Sequence, residues 1–259
     1  MTETTSLPSQ PALRRPRSRF VAILRYTLQS CVPPRRWAAI LLPCAGALLF
    51  GLLARAINLS PERAFANVAS EGIFSLVMPI AALVIGDSVL GAEVRAGTFH
   101  FTWLSPISTW QIVLGRWLGG SIVALVTIAP ATALAAVIAG APSSAWPAFI
   151  AAAVGSITYV ALFIAVGCIT RRTAVWSLAI VFLVERLLGA ALTGIAQISP
   201  TWESRAIFVG LLDDPPNRLV RDGIPQGGAA IVRLLIVAAI CLLIANWRMS
   251  HMRLSGASD

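Results

Sequence analysis

Glu185 and Arg186 stand side by side in the stretch VFLVERLLG, near the middle of a long apolar run. On an insertion scale two central charges cost about 5 to 7 kcal/mol, against about 3 to 6 kcal/mol returned by some ten strongly apolar neighbours. Ionisable groups at such a depth face a bundle interior, a symmetry mate or a water-filled path. Successive residues of an α-helix point about 100° apart, so the two do not pair neatly with each other. Two uses stay open: groups of a solute path or gate, with Glu185 also able to carry a coupling proton, or a structural interhelical ion pair. Phe74, Val77, Met78, Trp176 and Phe182 are candidate apolar walls of a path, and equally candidate packing residues.

A second concentration of polar chemistry lies in GAEVRAGTFHFTWLSPISTWQIVLGR, from Gly91 to Arg116. Gly97 can end one helix and Thr98 can cap a short new one. That helix presents Phe99, Phe101, Trp103 and Leu104, more large apolar surface than a free loop leaves in water, so some of it needs a partner surface. Ser105-Pro106 breaks it, and Ser108 with Gln111 three residues on forms a capping-box pattern for the next helix. The expected product is a rigid, partly apolar knuckle tied to two long helices. An interfacial helix resting its aromatics among headgroups fits the same residues.

Other chemistry is poorly represented. Cys31, Cys44, Cys168 and Cys241 are far apart, and His100 and His251 are isolated, so no metal-ligand spacing or disulfide framework is expected. There is no G-x-S-x-G and no H-E-x-x-H. A phosphate loop needs a lysine, and all 20 basic residues are arginine, so any ATP hydrolysis belongs to another polypeptide.

The elements that must position these groups are membrane helices. Of 259 residues, 57% are hydrophobic and only 12% charged, a balance that suits a bilayer rather than a soluble domain. The net charge of +9 is spread between apolar runs instead of clustered on one face, which argues against nucleic acid and for topology signals. The expected fold is all-α and integral to the membrane. Residues 1–17 form a cytosolic tail without apolar period, and 18–36 an amphipathic interfacial helix carrying Phe20, Ile23, Leu24 and Leu28, with its linker. Six transmembrane helices follow within 37–247, at 37–57, 72–92, 112–139, 146–169, 174–196 and 229–247. Residues 248–259 are a second cytosolic tail. Pro43, Pro79 and Pro130 fall inside spans as candidate kinks. With both termini in the cytosol, Arg95, Arg116, Arg171, Arg172, Arg248 and Arg253 join the N-terminal arginines inside, while Arg55, Arg63, Arg205, Arg218, Arg221 and Arg233 outside are matched by Glu62, Glu71, Glu203, Asp213, Asp214 and Asp222. Between the last two spans, Ala206 to Leu212 is expected as a short re-entrant or surface-lying helix, or a plain loop.

The pattern Glu93, Arg95, Gly97-Thr98, Leu104, Ser105-Pro106, Ser108, Ile112 and Arg116 resembles the loop between helices two and three in membrane subunits of the type-2 ATP-binding cassette exporters. The resemblance implies a cytosolic coupling helix between helices 2 and 3 that docks on an ATP-hydrolysing subunit. Carried over by position, Glu93 and Arg95 become polar contacts of the ATPase, Gly97 and Thr98 the hinge and cap, and Phe101 and Leu104 docking contacts. Phe99 and His100 stand where that family often has aliphatic or acidic residues. The resemblance further implies a second permease subunit, identical or homologous, a bacterial cytoplasmic-membrane location, and ATP with magnesium held by the partner rather than by this chain. Glu185 and Arg186 then fall on a helix that lines the translocation route. The competing expectation is a proton-coupled secondary transporter using Glu185, for which no inverted repeat is visible.

Overall fold

The computed structural model describes residues 19–31, 37–91, 107–170 and 172–251, and among these every regular element is helical. In chain order they are α1 (Arg19–Cys31), α2 (Trp37–Arg55), α3 (Pro61–Leu90), α4 (Thr109–Ala139), α5 (Ala145–Ile169), α6 (Thr173–Ala191), α7 (Pro200–Gly210) and α8 (Gly228–Ser250). The stretches Pro61–Leu90, Thr109–Ala139, Pro142–Ile169, Thr173–Ala191 and Gly228–Ser250 are long and apolar enough to cross a membrane, and α2 contributes a shorter apolar stretch, Leu41–Arg55. At 1.5 Å per residue α4 is about 46 Å long, more than a hydrocarbon core of about 30 Å, so it tilts or projects beyond it.

The helix boundaries have local causes. Ser108 caps α4 by accepting from the Gln111 N–H at 3.4 Å, as the capping pattern anticipates. Gly140 ends the same helix at φ +84°, a conformation that suits glycine. Pro61 opens α3 at its first turn, where a missing N–H does no harm. α3 therefore starts well ahead of the expected Gly72: Ala64, Phe65 and Ala66 are buried while Glu62 and Arg63 stay exposed, an amphipathic turn that the polar residues disguise as loop. α6 stops at Ala191 rather than running to Ala196, because Leu192 is extended before a separate turn at Thr193–Ala196.

Close backbone approach through small residues builds the bundle, the packing mode that works where lipid is as apolar as leucine. A Cβ on Gly51 of α2 would lie 2.5 Å from the Ala135 carbonyl oxygen of α4, and one on Gly86 of α3 would meet the Phe163 side chain of α5 at 2.7 Å. α4 and α5 pack extensively on each other, and Phe163, Tyr159, Phe74, Met78 and Ile164 fill the centre. α1 lays the stripe Ile23, Thr27 and Cys31 on α4, where a Cβ on Gly119 would strike Thr27 at 2.7 Å. α6 differs from its neighbours: Val175, Trp176, Leu178, Leu183 and Leu187 all face outward.

Two helices contain wide π-type stretches, Ala69–Val77 and Asp87–Gly91 in α3 and Ile180–Leu188 in α6. In the first, Ser75 donates its hydroxyl to the Ser70 carbonyl five residues back, at 2.9 Å, and Pro79 follows immediately in the narrower helix. Such stretches cost hydrogen-bond quality and concentrate where a helix must re-aim side chains.

Candidate functional site

Glu185 lies in the π stretch of α6 and is 3% exposed. Its Oε2 accepts from the Tyr159 hydroxyl of α5 at 2.5 Å, from Ser199 Oγ at 2.9 Å and from the Thr201 N–H at 3.2 Å. Its backbone carbonyl accepts from the Trp202 indole at 2.9 Å. Tyr159 Oη is also 2.5 Å from Thr201 Oγ1. One carboxylate oxygen thus knots together α5, α6 and the N-terminus of α7, whose free N–H groups and positive dipole end suit an anion. Oε1 is buried and has no hydrogen-bond partner among the described residues.

The two adjacent charges point different ways, as successive helix residues do. Arg186 is exposed and lines a different cavity, of about 180 Å³, with Glu71 and Ser75 of α3 and Thr201, Trp202 and Arg205 of α7. No ion pair joins Glu185 to Arg186 among the described residues. Of the candidate walls, Phe74 and Met78 are fully enclosed in this conformation: Phe74 contacts the Phe208 ring at a centroid distance of 5.2 Å, and Met78 packs beside Gly155. Phe182 is partly buried against the core.

The partners of Glu185 are residues that sequence reasoning missed. Tyr159 is one of only two tyrosines and sits within an apolar helix, a usable signal for a buried hydroxyl that needs a partner. Ser199-Pro200 is a cap followed by a first-turn proline, and Ser199 does accept from the Trp202 N–H at 3.5 Å. That signal starts α7 at Pro200, well before Ala206. α7 is neither a plain loop nor surface-lying, since Ala206, Ile207, Phe208 and Val209 are buried against α5, α8 and the α3 π stretch.

Polar fasteners hold α7 and the segment after it. Two guanidiniums lie over the Trp202 ring, Arg205 at 4.6 Å and Arg221 at 4.5 Å from its centre. Arg221 donates to the Gly189 and Ala190 carbonyls at 2.8 and 3.0 Å, satisfying the end of α6. Arg205 pairs with Glu71, Arg63 with Asp214 at 3.3 Å, and Arg233 with Glu203 at 3.7 Å. Burial pushes the Glu203 carboxyl up to about 7, with the Arg233 guanidinium opposing the rise.

Glu93, Arg95, Gly97, Thr98, Phe101 and Leu104 lie outside the described residues, as does the expected helix that carries them. The helix ends that flank them are described. Arg116, expected on the cytosolic side, is buried in the second turn of α4 and donates to the Val89 carbonyl in the last turn of α3. This contact clamps the two helix ends together beside the loop. The chain of observations defines a multi-pass, all-α membrane protein with charged groups inside its bundle.

A family model described as ABC-2 family transporter protein matches residues 11–207, and the chain belongs to that family. It is therefore a membrane permease subunit of an ATP-binding cassette transporter, a class that works with a partner ATPase in a lipid bilayer. No curated protein matches the chain. The matched stretch runs from ahead of α1 into α7 and includes both the whole α3–α4 loop and the Glu185 site.

Proposed function

We propose that this chain moves its substrate outward across a bacterial cytoplasmic membrane, as one of two permease subunits driven by ATP hydrolysed on two separate ATPase subunits. The observation that carries this reading is the family match over residues 11–207, a range that takes in the loop between α3 and α4. α2, with 19 residues and about 28 Å of length, serves as the first of six spans, and α1 lies at the cytosolic interface with both termini inside. The chain binds no cofactor of its own; ATP and magnesium sit on the partner.

In this mechanism closure of the ATPases presses on the segment Thr98 to Leu104, with Glu93, Arg95 and Phe101 in contact and Gly97 as the hinge. Arg116 ties the α4 side of that loop to Val89 on the α3 side, so both helices receive the push as a unit. α3 reaches Arg205 through Glu71 and meets Arg186 across their shared cavity, which carries the motion to α6 and α7. A push changes access only if the moved element favours one of two states. Replacing Glu93 or Phe101 with Ala in the assembled complex lowers substrate-stimulated ATP turnover; full stimulation in both variants contradicts the role of the loop. A proton-coupled mechanism through Glu185 makes the opposite prediction, transport in vesicles driven by a proton gradient with no ATPase present.

A further inference from the structure

Beside Glu185 a cavity of about 350 Å³ opens on the flank of the bundle, between α5, α6, α8 and the turn at 195–200. Its walls are Leu162, Ile180, Val184, Val237 and Ile240, with Glu185 and Ser199 as the polar groups. Val184, Ile198 and Ile240 stand exposed at the rim and give the mouth an apolar edge. Size, apolar lining and sparse polar groups are those of a small-molecule site.

The unbalanced atom in this place is Glu185 Oε1. All three donors that reach the carboxylate bind Oε2, leaving Oε1 buried and unsatisfied among the described residues. No arginine forms an ion pair with Glu185 there, since Arg233 pairs with Glu203 and Arg205 with Glu71. A buried carboxylate without a counter-charge either takes up a proton or is completed by a cation that also donates a hydrogen bond. A hard metal ion does not suit the cavity, because it needs several oxygen ligands and beyond Glu185 and Ser199 the side chains of the lining are hydrocarbon and the Cys241 thiol.

We infer that this cavity is a binding site for an organic monocation, an N–H-bearing ammonium with an apolar body, whose charge completes Glu185 while the body lies against α5, α6 and α8. Entry is sideways from the bilayer, where amphiphilic amines accumulate. The site adds a ligand class to the permease reading and rests on that reading only for its place in an export route.

The test uses the purified full chain in nanodiscs without ATPase subunits, with empty nanodiscs subtracted. Calorimetry compares three probes that share one arene: naphthylethylammonium, naphthylethanol and naphthylpropionate. The ammonium is expected to bind at least tenfold more tightly than the alcohol, and the carboxylate not at all. Glu185→Gln is expected to bring the ammonium down to the level of the alcohol. Ile240→Trp, an exposed position that fills the mouth without touching Glu185, is expected to abolish binding of both and serves if Glu185→Gln does not fold. Equal binding of ammonium and alcohol by the wild type overturns the inference, because a protonated Glu185 then suffices. So does an ammonium preference that survives Glu185→Gln or Ile240→Trp. A negative result here leaves the ATP-turnover test of the loop untouched, and full turnover in the loop variants leaves a positive binding result standing.

Discussion

Replacing Tyr159 with Phe removes a single oxygen from the centre of the bundle, one that donates to Glu185 Oε2 and meets Thr201 Oγ1 at the same 2.5 Å distance. A net hydrogen bond to a charged group is worth about 1.5 to 3 kcal/mol in proteins. Interhelical bonds within membranes average only about 0.6 kcal/mol and reach about 1.7, because the separated helices find other partners. Tyr159 lies at the upper end of that range: the acceptor is a carboxylate, both side chains are buried, and Thr201 loses a contact in the same step. The expected loss is about 1.7 kcal/mol, which for a chain of this size lowers the melting temperature by about 3 to 7 °C. Thermal unfolding in mild detergent, followed by tryptophan emission, reads it directly, since Trp202 donates to the Glu185 backbone carbonyl next door. A double-mutant cycle with Glu185→Gln is expected to show a coupling of about 1 kcal/mol between the two positions. A shift of less than about 1 °C, or strict additivity in the cycle, refutes the claim that this knot holds α6 to α5.

Three further expectations follow from separate parts of the structure. Gly119→Val drives a side chain into Thr27 and lifts α1 from α4; Cys31, buried there with its thiol pushed up to about 12, then gains at least a tenfold faster maleimide reaction by peptide mass spectrometry. The Glu203 carboxyl titrates at about 7, above the ordinary carboxylate value, so the folded state holds the proton more tightly than the unfolded one. Its contribution to stability is complete below the unfolded value near 4.5 and is lost as pH rises through 7; melting temperature falls between those pH values in the wild type and stays level in Glu203→Gln. Arg221→Ala frees the Gly189 and Ala190 carbonyls and one face of Trp202, and amide exchange at the end of α6 accelerates while α4 is unchanged.

The long helices were legible because hydropathy reports the medium: α4, α5 and α8 carry few charges and end on clear signals such as Ser108 and Gly140. Where a helix is polar on one side, hydropathy averages misplace its start, as at Pro61, where Glu62 and Arg63 mask the buried Ala64 and Phe65. Glu185 stood out in sequence as an anomaly, but its partners did not. Ser199 and Thr201 are ordinary turn residues by composition, and only the three-dimensional return of α7 against α5 brings them to Tyr159. The π stretch of α6, which holds Glu185 inward while Arg186 lines the cavity shared with α3, carries no compositional signal at all. Arg116, counted in the sequence as a cytosolic charge, also braces two helix ends, a contact that charge counting does not report.

Because α6 shows most of its leucines and valines to the outside, lipid tails can replace its apolar neighbours at almost no cost. What keeps it in place is a handful of oxygens and nitrogens concentrated toward one end. It behaves as a door hung on a polar hinge: its outer face tolerates any exchange of one hydrocarbon for another, whereas swapping a hydroxyl for a hydrogen at the hinge decides whether the door stays shut.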